Sequence, residues 1–142
     1  MKYKFYGADT KSVKPINEKF NKIKDQRHLY DLLSNIWCKK TCAKRLQDKW
    51  NESNKTLGQC SITAFLVQDI FGGDVYGILL DDGNFHCFNV IGDVKFDLTS
   101  EQFEEKLNYD NVYLQKRETH FSKKEKYNRY LYLKDELIKS LS

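Results

Sequence analysis

TLGQCSITAFLVQDIFGG, residues 56–73, is the stretch on which the fold turns. From Ile62 to Phe71 it is apolar on nearly every side, which predicts a helix buried all round. Gly72-Gly73 supplies the C-terminal stop. Cys60 falls in the first turn, where unpaired N–H groups and the helix dipole favour an anion. On the N-terminal side, NESNKT (51–56) is polar turn material. On the C-terminal side the apolar period changes to two. Residues 74–80 (DVYGILL), 85–91 (FHCFNVI) and 94–98 (VKFDL) predict three strands, joined by turns at 81–84 and at Gly92-Asp93.

Further out, Ile16, Phe20, Ile23, Tyr30, Leu33 and Trp37 predict an amphipathic helix over 16–37, broken near Arg27-His28. A second helical stretch is expected over 39–50, and a short strand over 2–6 (KYKFY). Thr99-Ser100-Glu101-Gln102 and Ser122-x-x-Glu125 fit capping boxes, each opening a helix. The second of these helices carries Tyr127, Tyr130, Leu131, Leu137 and Leu141 on one face. The order is helices, a central buried helix, an antiparallel sheet, then helices. That is an α+β fold, with the central helix packed on a small sheet and flanking helices around it.

The 142 residues suit a single domain spanning 1–142. With 40% hydrophobic, 31% charged and 14% aromatic residues, the composition is that of a soluble globular protein. The net charge of +4 is mild and the basic residues form no continuous tract, which argues against nucleic acid as a partner. No run approaches the ~18 apolar residues of a membrane span. The opening MKYKFYGADTKSVKP lacks the apolar core of a secretory signal, so a cytoplasmic location is expected, with Cys38, Cys42, Cys60 and Cys87 reduced. Cys38 and Cys42 could form half of a zinc site. No second closely spaced ligand pair exists, so no metal or other cofactor is expected.

A two-residue turn at Gly92-Asp93 makes Ile91 face Val94, Phe88 face Asp97 and His86 face Thr99. His86, Phe88 and Val90 then share one face with Asp97, which is diagonal to His86 at a Cα distance of ~7–8 Å. Asn89 has the opposite parity and points away. Asp97 is therefore the residue expected to orient His86. Cys60, at a helix start and beside a histidinium, would have a depressed pKa and act as nucleophile, with its own N–H as an oxyanion donor. Asp97 would fix the His86 tautomer. His28 and His120, in charged segments, are expected in solvent. The Gln68-Asp69 pair in the buried helix is expected to brace neighbouring elements. The competing reading makes Cys60 a small core residue of a non-catalytic binding protein.

The stretches GQCSITAFLVQDIFGG, HCFN and DLTSEQF, with Trp37 and Trp50 upstream and KRE (116–118) and RYLYLK (129–134) downstream, closely resemble the YunG-like family of small bacterial proteins. The resemblance covers about 29–142 and leaves the first 28 residues as an N-terminal extension. Its motif order is similar to that of the papain-like and transglutaminase-like cysteine superfamily. The resemblance implies a cysteine hydrolase or acyltransferase acting on a peptide, amide or acyl substrate through a thioester. Cys60, His86 and Asp97 match the three motif positions, and Cys87 stands where many relatives carry an aromatic residue. For the second oxyanion donor it leaves Gln59, beside the cysteine, and Asn54, at a spacing similar to the glutamine of papain-like enzymes.

Overall fold

The buried helix forms as Cys60–Phe71 (α2) in a computed structural model of the chain, which describes residues 3–142. Its residues Ile62 to Val67, with Ile70 and Phe71, are all buried. It ends where the Gly72 N–H returns to the Gln68 carbonyl at 2.9 Å. Three strands follow, Asp74–Leu79 (β1), Phe85–Ile91 (β2) and Val94–Phe96 (β3); a fourth, Tyr113–Leu114 (β4), was not foreseen. They make one antiparallel sheet in the order β3-β2-β1-β4. The β2–β3 hairpin has the register of a two-residue turn, with Ile91 opposite Val94 and Asn89 opposite Phe96.

The two faces of the sheet are different. Val75, Cys87 and Phe96 join the α2 side chains in the main core, and Asn89 donates to the Ala64 carbonyl of α2 at 2.9 Å. The opposite face carries Ile78, Phe88 and Tyr109, covered by Tyr6 and Tyr76. His86, one residue before Cys87, has the parity of this second face. The strand histidine therefore lies across the sheet from the body of α2, and can approach that helix only around the end of β2.

Several expected helices are shorter or shifted, each for a local reason. The 16–37 region is a 3-10 turn at Glu18–Phe20 followed by a helix at Gln26–Ser34 (α1). The break comes before Arg27-His28, because the Asp25 carboxylate accepts from the His28 N–H at 3.0 Å and starts the helix there. Over 39–50 only a 3-10 helix forms, at Lys44–Lys49. Upstream of it, the Thr41 hydroxyl accepts the Cys38 N–H at 2.9 Å and offers the backbone an alternative to helix. Thr99 does not cap a helix, since its N–H and hydroxyl both go to Asp97, and only a 3-10 turn at Ser100–Gln102 follows. Ser122 turns its hydroxyl to the Thr119 carbonyl, so it too is no cap. It joins a short helix, Arg117–Phe121 (α3), to the final helix, Lys124–Ser140 (α4). The buried stripe of α4 is Tyr130, Leu133 and Leu137; Tyr127 and Leu131 are exposed.

The N-terminal segment is part of the core. Phe5, Phe20 and Ile23 are buried with Phe65 and Leu133, each contributing about 1.5–3 kcal/mol of apolar burial. Of the expected KYKFY strand, Lys2 lies outside the described residues. Within them, Tyr6 alone pairs, in an antiparallel bridge to Asp97. At Gly7 the chain turns with φ +79°, so tightly against β3 that a Cβ would lie 2.2 Å from the Lys95 carbonyl oxygen.

Candidate active site

Cys60 is the first residue of α2, and its preceding residue Gln59 makes no side-chain cap. The N–H groups of that first turn therefore remain available to an anion. The loop that delivers the cysteine depends on Gly58, which has φ +72°. A Cβ there would meet the Cys42 sulfur at 2.5 Å and the Ala43 nitrogen at 2.9 Å. Cys60 is partly exposed, on the wall of an open cavity of about 670 Å³, whereas Cys42 and Cys87 are buried. All four cysteines are free thiols.

At the entrance to β2 the Cys60 sulfur lies 3.9 Å from the Phe85 carbonyl oxygen, with Cys87 and His86 on either side of that strand's pleat. His86 is buried and its Nε2 lies 2.6 Å from Asp97 Oδ2. The Asp97 carboxylate also accepts the Tyr109 hydroxyl at 2.7 Å, the Thr99 N–H at 3.1 Å and the Thr99 hydroxyl at 3.3 Å. These donors fix the orientation of the carboxylate. His86 Nδ1 is buried and makes no hydrogen bond of regular geometry, and the Cys60 thiol is near enough for each group to shift the other. Asn89, bound to Ala64, takes no part.

The electrostatics separate the two thiols. Cys60 is held well below the ordinary thiol pKa, first by a hydrogen bond from Cys87 and then by His86, against the opposing effect of burial. Cys87 is pushed well above it, by that same hydrogen bond and by burial, so it remains the S–H donor. For His86, burial opposes the charged form, but the Asp97 carboxylate and then the Cys60 sulfur together outweigh it, and the imidazole rises to about 10. At neutral pH these directions describe a Cys60 thiolate beside a His86 imidazolium.

The DLTSEQF stretch does more than supply Asp97. Thr99 clamps one carboxylate oxygen. Gln102 donates to the Thr99 carbonyl at 3.0 Å and accepts the Gly58 N–H at 3.4 Å, which joins this turn to the loop before Cys60. Phe103 stands edge-on to the His86 ring at 4.7 Å and lines the cavity. Tyr109 lies outside the motif, and nothing in its sequence surroundings marks it. Gln59 and Asn54 are not part of the cavity wall. The Gln59 side chain is buried, and its amide donates to the Cys38 carbonyl at 3.2 Å. One of its two N–H donors is thus committed to the loop at Cys38 rather than to the cavity.

His120, expected in solvent, is half-buried on the cavity wall beside Phe65. Its Nε2 lies 2.8 Å from Gln115 Oε1 and its Nδ1 3.0 Å from Lys126 Nζ. Burial and the neighbouring Lys126 lower it to about 4, so it is neutral, with Nε2 the protonated nitrogen. His28 is far from this region and accepts the Lys24 N–H at its Nδ1. Gln68 and Asp69 brace the fold. Asp69 pairs with Arg117 at 2.8 Å and accepts the Tyr130 hydroxyl, tying α2 to α3 and α4. Among the described residues no cluster of three or more histidine, cysteine or acidic side chains has the form of a metal site, and no helix is long and apolar enough to cross a membrane.

No solved structure matches the chain. A curated relative, uncharacterized protein YunG of Bacillus subtilis (strain 168), is 33% identical over 85 residues, covering 60% of this chain and 69% of that protein. The sequence model of the YunG protein family matches residues 25–142, from the cap of α1 to the last residue, and so takes in every side chain of the site just described. The chain belongs to the YunG family.

Proposed function

We propose that this protein is a cysteine hydrolase or acyltransferase that acts on an amide or acyl bond through Cys60, His86 and Asp97. The observation that carries the reading is a partly exposed thiol on a cavity wall, beside an imidazole whose far nitrogen is bound by a buried carboxylate. The Cys60 thiolate attacks the acyl carbon, and the carbonyl electrons move onto oxygen, where the Cys60 N–H at the helix start stabilises the charge. As the tetrahedral centre collapses, the bond to the leaving amine or alcohol breaks and His86 gives that group its proton. Water, or an amine acceptor in a transferase, then attacks the thioester and loses its proton to His86. Release of the acyl product restores the ion pair. Asp97 keeps Nε2 protonated throughout, so that Nδ1 is the nitrogen that exchanges protons with the reactants.

A central helix bearing the nucleophile, with the base and acid on following strands, supports a papain-like or transglutaminase-like core as the finer description of the α+β fold. A cytoplasmic, reducing setting would keep such a thiolate active. The competing reading, Cys60 as core packing, has to place in the core a thiol that lines an open cavity. The test is site-resolved alkylation. Iodoacetamide is expected to label Cys60 well below pH 8 and faster than Cys38, Cys42 or Cys87, and replacing His86 should abolish that preference. Equal and sluggish labelling of all four thiols would overturn the proposal.

A further inference from the structure

Five cations and two carboxylates line the cavity around Cys60. Arg45 pairs with Asp82 at 3.8 Å and Arg129 with Glu125 at 2.8 Å. Lys44, Lys123 and Lys126 have no carboxylate partner among the described residues. Lys126 differs from an ordinary surface lysine. Its Nζ donates to a neutral histidine, His120, whose other nitrogen donates to Gln115 Oε1. The Gln115 amide is itself oriented by the Tyr113 carbonyl at 3.1 Å. A chain of three side chains thus fixes one ammonium against the wall that holds the nucleophile.

We infer that the substrate of this site carries a carboxylate close to its reacting carbon, and that Lys126, positioned by His120, receives it. The inference rests on the acyl-transfer reading and names its substrate class. Burial disfavours the Lys126 charge while the one negative charge of the hydrogen-bonded Cys60–Cys87 pair favours it, so the thiolate is the anion that accompanies the ammonium in the free protein. That anion disappears once Cys60 is acylated. A partly desolvated ammonium without a counter-charge is costly. A carboxylate on the acyl group supplies the charge in its place. Neutral His120 suits the arrangement, because an imidazolium there would repel Lys126 and leave it without its acceptor.

The test uses two alkylating reagents of nearly equal size, anionic iodoacetate and neutral iodoacetamide. Both need the same thiolate, so the ratio of their rates at Cys60 cancels any change in thiolate fraction. Relative to glutathione in the same buffer, the wild-type ratio is expected to favour iodoacetate by about tenfold, equivalent to ~1.4 kcal/mol. Lys126→Met should return it to within about threefold of glutathione, and Lys126→Arg should keep most of the preference, since one charge–charge contact of that size is what changes. In the unmodified protein, succinate should protect Cys60 from iodoacetamide where succinamide does not, which keeps the test open if a variant fails to fold. A glutathione-like ratio in the wild type overturns the inference, as does an iodoacetate preference that survives Lys126→Met. Rapid iodoacetamide labelling with a glutathione-like ratio removes only the carboxylate. Slow labelling of Cys60 by both reagents removes the acyl-transfer reading beneath it.

Discussion

His86 and His120 stand on the same cavity and have opposite charge states. His86 is the more deeply buried, yet it is raised to about 10, whereas the half-buried His120 is lowered to about 4. Burial pushes both the same way. The difference is the partner: a carboxylate anchored by Tyr109 and Thr99 on one side, an ammonium on the other. Desolvation alone does not set protonation where a fixed charge lies within hydrogen-bond distance. The cavity thus has one imidazole equipped for proton transfer and another equipped to accept from a cation.

The strongest way to break this contrast is Asp97→Asn. It removes a buried partner and should cost about 3–5 kcal/mol of stability in urea denaturation, while His86 drops below neutrality. His86→Ala follows. At pH 6.5 the Cys60 alkylation rate should fall by about a hundredfold, as the thiol returns toward its ordinary pKa, whereas His120→Ala should change it by less than about threefold. A similar loss in both variants would erase the distinction.

Stability against pH gives a finer view. His86 has a folded pKa above its unfolded one, so its contribution is complete below about 6.5 and is lost as pH rises through about 10. Cys60 is shifted down, so its contribution is present above about 9 and is lost as pH falls through its folded value. Between these limits the two slopes oppose each other in the wild type. Cys60→Ala removes the opposing slope and keeps the part of the His86 slope that Asp97 causes, so the variant should lose stability above pH 7, by up to about 1.4 kcal/mol per pH unit. A pH-independent difference between the two proteins would contradict the ion pair. The smallest effect is expected from Lys126→Met, which should raise the His120 midpoint, read by NMR, by up to about one unit while leaving His86 in place.

The central helix, three strands and the hairpin register were legible because each rests on a strong local pattern: a run of apolar residues, a period of two and a Gly-Asp turn. The pairing of His86 with Asp97 followed from register alone. The failures have a common cause. Thr99 and Ser122 look like helix-starting residues in sequence, and Thr41 lies inside an expected helix, but their hydroxyls have other partners in the folded protein. Register places His86 and Asp97 on one face of the sheet and leaves open how that face meets the start of α2. The contact occurs at the end of β2, and the α2 face belongs to Cys87 and Asn89. Tyr109, Gln115 and His120 enter the site from segments without periodic pattern, and Lys126 from the first turn of α4, off the apolar face that the sequence marks, so only the folded chain brings them into view.

The bridge between Tyr6 and Asp97 gives the N-terminal segment a significance that its sequence does not announce. Tyr6 accepts the Asp97 N–H at 2.9 Å, gives its own N–H to the Ser100 hydroxyl at 2.8 Å, and stacks at 3.6 Å on the Tyr109 ring whose hydroxyl holds the carboxylate. Tyr6, which makes these three contacts, lies outside residues 25–142, the span shared with the family. The span that defines kinship supplies the carboxylate's own donors, Thr99 and Tyr109, while the leading segment braces the Asp97 backbone and the Tyr109 ring behind them. Relatives with other leading segments could carry the same three motif residues and still differ in how firmly the histidine is held.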